Sequence, residues 1–172
     1  MAHKKIDIRK YVSISARLKE NYKSLRANID FCGNAPRVIL VTSSIPGEGK
    51  STVSLQLAHE IALSGKSVLM LDADMRKSKW SELFGVSRTD KKGVSDFLAG
   101  KIDFSDALWE TREPNLYFML AGSTPPNPTE LLGSEMFHTL LEACRQTFDY
   151  VIIDAPPLAN VIDAAVICAQ CD

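Results

Sequence analysis

The sequence predicts an α/β fold, in which a doubly wound, mainly parallel sheet is flanked by helices within a single domain over residues 1–172. Short apolar runs rich in β-branched residues alternate along the chain with stretches of helical periodicity. A glycine-rich turn follows the first run, and carboxylates close two of the later runs. Strands that alternate with helices favour a parallel sheet, because each helix returns the chain to the edge where the previous strand began.

The composition is that of an ordinary globular protein, with 45% apolar residues, 24% charged residues and a net charge of −1. This balance argues against a nucleic-acid partner, since nucleic-acid binders carry an excess of positive charge. The chain lacks both an apolar run of the ~18 residues that span a bilayer and the apolar segment of a signal peptide, so we expect a cytoplasmic protein. Its four cysteines are expected to be reduced and mostly packed in the core.

The first predicted element is a helix over about 15–32, ahead of the main α/β core at about 37–172. It carries one narrow apolar stripe, formed by Leu18, Tyr22, Leu25 and Ile29. The three- and four-residue steps of this stripe place it on one helix face, which we expect to pack against the core. Gly33 is predicted to end the helix.

Four buried strands are predicted in the core, and they lie at 37–42, Val68–Asp72, 116–120 and Tyr150–Asp154. A helix is predicted over 51–64, and shorter helical pieces over 79–84, 94–99 and 104–109. The proline-rich stretch 124–128 cannot be regular structure, because proline fixes φ and removes the amide donor. It is therefore predicted to be an ordered loop ahead of a helix that begins at Thr129.

The turn from Ser44 to Ser51 is the strongest functional signal in the chain. It follows a strand and opens a helix, so that backbone amides and the helix N-terminus converge on one anion. Lys50 would reach the β and γ phosphates of a nucleotide, and the Ser51 hydroxyl would coordinate Mg²⁺. The fold is therefore interpreted as P-loop NTPase-like, with ATP and Mg²⁺ as cofactors. The predicted nucleotide-binding residues are Pro46, Gly47, Glu48, Gly49, Lys50, Ser51 and Thr52.

Acidic residues close two of the predicted strands and should meet at the carboxyl edge of the sheet. Asp154 ends an apolar run, as the metal-organising acid of a P-loop fold does, and a metal site of Ser51, Asp72 and Asp154 is predicted. Asp72 and Asp74 lie two residues apart, so that one can serve the metal while the other accepts a proton from an attacking hydroxyl. Arg76 is expected to pair with one of these acids or with a phosphate.

Three segments resemble the Walker A, A′ and B motifs of the bacterial tyrosine autokinases, or BY-kinases, and they are 42–51, 71–76 and 151–154. The resemblance also covers Gly122 and 125–132, and it extends from about Glu20 to the C-terminus. It implies that ATP donates its γ-phosphoryl group to tyrosine in protein substrates. The catalytic residues that it implies are Lys50, Asp72, Asp74 and Asp154. Asp72 or Asp74 would activate the phenol, and Asp74 is favoured as the base.

The family also carries a motif for ring assembly on the helix ahead of the P-loop. Glu20, Lys23 and Arg26 occupy its positions here, with lysine in place of the first arginine. The resemblance therefore implies a homo-oligomeric ring. The alternative is a solvated helix face with an internal Glu20–Lys23 pair, because lysine lacks the bidentate fork of arginine.

Members of this family usually continue with a further strand and helices and end in a tyrosine cluster. The four tyrosines here, Tyr11, Tyr22, Tyr117 and Tyr150, are scattered, so we expect a truncated chain or a shortened form of the family. The resemblance further implies a transmembrane activator, separate or fused, which would hold the protein at the inner face of the cell membrane. The implied role is control of capsular or extracellular polysaccharide biosynthesis and export.

Two alternative functions remain open. A MinD- or ParA-like ATPase would use hydrolysis as an assembly switch, but those proteins carry a signature lysine at the position of Ile45. A regulatory paralogue that binds ATP without effective catalysis is the other alternative.

Overall fold

The structure is a computed structural model that describes residues 5–32, 37–87 and 90–172. Its strands are β1 (Lys5–Ile6), β2 (Val38–Val41), β3 (Val68–Asp72), β4 (Leu108–Thr111), β5 (Leu116–Met119) and β6 (Tyr150–Asp154). Its helices are α1 (Arg9–Val12), α2 (Ala16–Asp30), α3 (Lys50–Leu63), α4 (Trp80–Leu83), α5 (Val94–Leu98), α6 (Phe104–Ala107), α7 (Pro128–Leu132), α8 (Glu135–Thr147) and α9 (Asp163–Cys168). None of the helices in these ranges combines the length and apolar character that crossing a bilayer requires.

The strands of the described residues form one sheet in the order β1-β4-β5-β3-β6-β2. Neighbouring strands are parallel except for β4 and β5, which are antiparallel. The predicted fold class, a mainly parallel sheet flanked by helices, is confirmed. In the register of β3 and β6, Asp72 lies directly opposite Asp154. The two carboxylates therefore meet at the carboxyl edge of the sheet, where ligands of open α/β folds bind.

Apolar side chains cover both faces of the sheet. One core cluster joins the sheet to α5, α7, α8 and α9, with Phe137 and Leu141 fully buried. The second joins it to α3 and to the segment that contains β1, with Leu55 and Phe118 at its centre. Alternate residues of the buried strands contribute to opposite clusters, because successive side chains of a strand point to opposite faces. The sheet is thus held rigidly between two helical layers.

The sequence predicts neither β1 nor β4. Residues 104–109, predicted as one helical piece, divide into the short helix α6 and the start of β4. In β4 Trp109 and Thr111 are buried while Leu108 and Glu110 are half-buried, which is the alternation of a strand. Pairing with both β1 and β5 stabilises this segment as a strand, and four residues give too short a pattern to reveal it.

The apolar stripe on α2 is less buried than predicted. Ser15 caps the helix by accepting a hydrogen bond from the Leu18 amide, and no residue of α2 is fully buried. Leu18 is 47% exposed and Leu25 is 37% exposed, because α2 packs chiefly on α3 and leaves part of its apolar face uncovered. Gly33, predicted to end this helix, lies outside the described residues.

Gly93 is expected to be essential for the packing of α5 against the sheet. A Cβ at this position would lie 1.9 Å from the Leu120 carbonyl oxygen and 2.6 Å from the Gly122 nitrogen. Gly93→Ala should therefore lower the free energy of unfolding by about 1–3 kcal/mol or more, measured by urea denaturation. Gly133→Ala is the matched control, since its nearest neighbour is a movable Val166 methyl at 3.3 Å. Equal unfolding free energies for wild type and Gly93→Ala would contradict this packing.

Candidate functional site

Backbone hydrogen bonds from the loop that follows β6 stabilise the turn between β2 and α3. The Ser43 and Ser44 carbonyl oxygens accept hydrogen bonds from the Leu158 amide at 2.9 Å and the Ala159 amide at 3.0 Å. Gly47 and Gly49 adopt φ values of 88° and 90°, which favour glycine. The chain can therefore turn sharply and enter α3 with its first amides facing the carboxyl edge of the sheet.

The first amides of α3 lack partners within the helix, as at the start of any α-helix. Those of Lys50, Ser51 and Thr52 are thus available to an anion, and the helix dipole adds positive potential at the same point. This local geometry suits the phosphates of a nucleotide. It arises from the strand-turn-helix order that the sequence already predicts.

Glu48 has a role within the turn itself. Its Oε2 accepts hydrogen bonds from the Ser44 amide at 2.8 Å and the Ile45 amide at 3.1 Å. Glu48 is absent from the lining of the cleft that holds the other predicted nucleotide-binding residues. Its carboxylate therefore stabilises the first part of the turn, at residues 44–45, while the amides of residues 50–52 face the cleft.

Replacement of Glu48 tests this arrangement. Glu48→Ala should raise the apparent Kd for ADP by about fivefold to tenfold, because the loss of two charge-assisted hydrogen bonds loosens the turn. Glu48→Gln keeps an acceptor oxygen and should retain most of the affinity. Equilibrium dialysis with labelled ADP measures both variants. Equal affinities for wild type and Glu48→Ala would show that the turn keeps its shape without this side chain.

Lys50 lies between two carboxylates at the bottom of the site. Its Nζ is 3.4 Å from Asp154 Oδ1, 3.7 Å from Asp74 Oδ2 and 3.2 Å from Ser51 Oγ. The Lys50 side chain is 14% exposed, so these pairs are poorly screened by solvent. The structure thus brings together the lysine of the turn and acids from the ends of β3 and β6.

Asp72 is the most enclosed acid of the site, with no solvent exposure. Its carboxylate accepts hydrogen bonds from the Ser78 hydroxyl, the Asp74 amide at 3.1 Å and the Ala121 amide at 3.3 Å. Burial and the neighbouring Asp154 raise the pKa of Asp72 to about 8, although the Ser78 hydrogen bond lowers it. Without a bound cation, Asp72 therefore carries a proton at neutral pH.

Asp154 and Asp74 differ from Asp72 in their partners. Burial raises the pKa of Asp154, while the Lys50 ammonium and hydrogen bonds from Ser51, Trp80 and Lys50 oppose this rise. Asp74 is 8% exposed and accepts a hydrogen bond from the Lys77 amide at 2.9 Å through Oδ1. Its Oδ2 remains directed toward Lys50. Asp74 is therefore placed to meet a group that enters from the cleft.

A cleft of about 500 Å³ opens above these residues. The predicted site residues that line it are Pro46, Gly47, Gly49, Lys50, Ser51, Thr52, Asp72, Asp74 and Asp154. A wider depression of about 710 Å³ lies against residues 7–10 and 82–85 and contains none of them. We place the functional site in the smaller cleft because the glycine turn, the lysine and the acids converge there. The roles of these residues in nucleotide binding stay predictions.

The donor set fits a magnesium ion. Ser51 donates a hydrogen bond to Asp154, so a hydroxyl and a carboxylate oxygen lie side by side next to the phosphate turn. Mg²⁺ usually binds through one or two carboxylates together with waters and substrate phosphates. Within the residues that the structure describes, no group of three or more His, Cys, Asp or Glu side chains is placed to hold a metal. Ser51, Asp72 and Asp154 stay predictions as metal residues.

Trp80 and Ser78 are functional candidates that the sequence does not reveal. The Trp80 indole Nε1 donates a hydrogen bond to Asp154 Oδ2 at 3.0 Å, and the Ser78 hydroxyl donates one to Asp72. Both residues follow the A′ segment but belong to no motif of the family. Only the position of α4 above β6 brings the indole to Asp154, so no local sequence pattern could have shown this contact.

Arg76 does not pair with Asp72 or Asp74, so that part of the expectation is wrong, and pairing with a phosphate stays a prediction. Its guanidinium donates to Asp163 through Nε at 2.9 Å, and its Nη2 donates to Thr129 Oγ1 at 3.0 Å. Asp163 is fully buried at the start of α9. Burial would raise its pKa, but the hydrogen bonds from Arg76 and Thr129 lower it below its usual value. Arg76 therefore ties the end of the A′ segment to α7 and α9.

The three predicted assembly residues lie along α2, away from the cleft. Glu20 and Lys23 form an ion pair at 2.7 Å, and Arg26 pairs with Asp30 at 3.2 Å. Asp30 also accepts a hydrogen bond from the Tyr150 hydroxyl at 2.7 Å. The internal Glu20–Lys23 pair is therefore present in this chain, and the role of the trio in assembly stays a prediction.

Comparison with known proteins agrees with this geometry. The AAA domain family matches residues 36–170. The tyrosine-protein kinase CpsD of Streptococcus agalactiae is 42% identical over 154 residues, which cover 90% of this chain and 67% of that protein. The chain thus spans about two thirds of the length of this relative.

Solved structures give the same result. The chimerical protein CapA2B2 matches with a TM-score of 0.86 and 30% identity, over 99% of this chain and 76% of that one. The kinase domain of the Escherichia coli tyrosine kinase ETK matches with a TM-score of 0.82 and 34% identity, over 88% of this chain and 60% of that one. The cell division ATPase MinD of Pyrococcus furiosus is more distant, with a TM-score of 0.64 and 25% identity over 78% of this chain and 56% of that one.

The predicted enzyme class is therefore confirmed at the level of the family, and the MinD-like alternative corresponds only to a distant likeness. An AAA domain spans most of the chain, and both CpsD of Streptococcus agalactiae and the ETK kinase domain are named as tyrosine kinases. This chain belongs to the family of bacterial tyrosine-protein kinases.

Proposed function

We propose that this chain transfers the γ-phosphoryl group of ATP to a tyrosine hydroxyl in a protein. The observation that carries the proposal is the position of Lys50, whose ammonium lies between Asp154 and Asp74 beside the phosphate turn. A cation and a carboxylate that lines the cleft thus lie next to each other at one end of a cleft that suits a triphosphate. Phosphoryl transfer depends mainly on such positioning and on electrostatic stabilisation.

Each residue has a distinct part in this proposal. The amides of Lys50, Ser51 and Thr52 bind phosphate oxygens, and the Lys50 ammonium stabilises the charge that develops on the transferred group. Asp74 accepts the phenol proton as the tyrosine oxygen bonds to the γ-phosphorus and the bond to the β-phosphate oxygen breaks. Ser51 and Asp154 would hold Mg²⁺, which when bound supplies positive charge to the phosphates.

The cellular setting of the proposal comes from the family resemblance. The proposed role is control of capsular or extracellular polysaccharide biosynthesis by a cytoplasmic enzyme that a transmembrane activator holds at the membrane. Ring assembly through Glu20, Lys23 and Arg26 would require these side chains to exchange their internal partners for a neighbouring subunit, because each is already paired with Lys23, Glu20 or Asp30. The exposed apolar part of α2 supports a surface that a neighbour covers.

Labelled ATP tests the proposed reaction. With Mg²⁺, γ-labelled ATP and a soluble tyrosine copolymer, we expect label to appear in phosphotyrosine on the copolymer. Addition of a cytosolic activator segment should increase the rate. A chain that only releases inorganic phosphate, with no label on tyrosine under either condition, would be a hydrolytic switch and would refute the proposal.

A further inference from the structure

Trp80 lies at the start of α4 and is 5% exposed at the wall of the cleft. Its indole N–H points at Asp154, a residue that is itself 1% exposed, and the Nε1–Oδ2 distance is 3.0 Å. The indole nitrogen can only donate a hydrogen bond, and a carboxylate can only accept one when ionised. The contact therefore depends on the indole N–H and on the carboxyl oxygen of Asp154 that accepts it, beyond the packing that any large apolar residue would provide.

The indole is held in this direction by its aromatic neighbours. It stacks on Phe84 with ring centroids 5.3 Å apart and an interplanar angle of 22°, and it meets the edge of Phe118 at 5.5 Å. Phe118 is fully buried in β5, so the indole rests against a fixed part of the sheet. The backbone amide of Trp80 also donates to Ser78 Oγ at 3.3 Å, and the same hydroxyl donates to Asp72. The ring therefore has little freedom to turn its N–H away.

The two carboxylate oxygens of Asp154 have different partners. Oδ2 receives the indole hydrogen bond, while Oδ1 lies 3.4 Å from Lys50 Nζ. A carboxylate with one oxygen fixed presents the other in a single orientation. Mg²⁺ demands near-ideal octahedral geometry, so the orientation of this oxygen decides how well it can coordinate the ion. Partners of metal-binding side chains act in this way in other proteins.

We infer that Trp80 is a positioning residue for Asp154, and that it tunes the affinity of the site for the divalent cation that accompanies the nucleotide. This inference rests on the proposed function, since it assigns the residue that orients one acid of the same site. Trp80 touches Asp154 and acts through it. The fluorescence of the indole should also respond to binding at the site, because any ion that binds Asp154 changes the electric field at the indole N–H.

Two measurements test the inference. Trp109, the other tryptophan, is buried in β4, and its Nε1 donates to the Lys92 carbonyl, so a Trp109→Phe protein isolates the Trp80 signal. In that protein, addition of Mg²⁺ at a fixed saturating ADP concentration should change the Trp80 fluorescence and saturate. Trp80→Phe keeps an aromatic ring but loses the N–H, and it should raise the Mg²⁺ concentration for half-maximal transfer by about 10–100-fold. Its affinity for ADP in EDTA should stay at the wild-type value.

Phe84→Leu is the matched control, because it disturbs the same aromatic cluster without touching the N–H to Asp154 contact. Its half-saturating Mg²⁺ concentration should equal that of the wild type. An unshifted value in Trp80→Phe, or an equal shift in both variants, would overturn the inference. If Trp80→Phe does not fold, the fluorescence titration decides alone, and an unchanged signal overturns it. A wild-type protein that labels no tyrosine would instead refute the proposed function, so the two failures are distinguishable.

Discussion

Replacement of Lys50 by methionine is expected to lower kcat for tyrosine phosphorylation by roughly 10²–10³ and to weaken ATP binding as well. The ammonium group is the cation that faces both Asp154 and Asp74, and methionine keeps the packing of the methylene chain without the charge. Both ground-state binding and transition-state stabilisation therefore suffer, so kcat and KM should change together. Initial rates of phosphotyrosine formation over a range of ATP concentrations measure this.

Lys66→Met is the matched control, since Lys66 is exposed just after α3 and lies outside the cleft. Its rates should equal those of the wild type. Because Lys50→Met leaves two carboxylates without their cation, circular dichroism and thermal unfolding must show that the variant is folded. A folded Lys50→Met protein with wild-type kcat would contradict the role assigned to the ammonium group.

Asp74→Asn is expected to lower kcat by about 10²–10⁴ while leaving the affinity for ATP within a few-fold of wild type. The structure supports Asp74 over Asp72 as the base. Both acids line the cleft, but Asp74 directs Oδ2 toward Lys50, whereas the Asp72 carboxylate already accepts hydrogen bonds from Ser78 and two backbone amides.

The comparison of two variants identifies the base. Asp72→Asn imitates the protonated form of a buried acid, and we expect it to retain more activity than Asp74→Asn. Single-turnover transfer from labelled ATP separates the chemical step from product release. If Asp74→Asn transfers at the wild-type rate, Asp74 is excluded as the base, and a selective loss in Asp72→Asn would assign the role to Asp72.

Much of the fold could be predicted from the sequence because its central strands are uninterrupted apolar runs. The bounds of β3 and β6 agree with the prediction residue by residue, since each run ends sharply at an aspartate. β1 and β4 could not be predicted, because two residues carry no pattern and the Leu108–Thr111 run contains a glutamate on its half-buried side. Both depend on pairing with distant strands, which local propensity does not encode.

The residues of the candidate site also fall into two groups, those that the sequence predicts and those that only the structure shows. The residues of the phosphate turn are visible in the sequence because their spacing within a strand-turn-helix unit is local. Asp72, Asp74 and Asp154 are visible because they stand at or just after the ends of apolar runs. The contacts of Trp80 and Arg76 are not visible, since their partners lie 74 and 87 positions further along the chain. The sequence shows which groups carry the chemistry, and the packing of helices over the sheet decides which groups orient them.

The central claim is that the γ-phosphate lies between Lys50 and Asp74 at the carboxyl edge of the sheet. A crystal structure with Mg²⁺ and a non-hydrolysable ATP analogue tests it most directly. We expect the phosphates to bind the amides of residues 49–52, with the γ-phosphate against Lys50 Nζ and Asp74 open to an incoming hydroxyl. A nucleotide bound elsewhere, or one whose γ-phosphate lies away from both Lys50 and Asp74, would contradict the account.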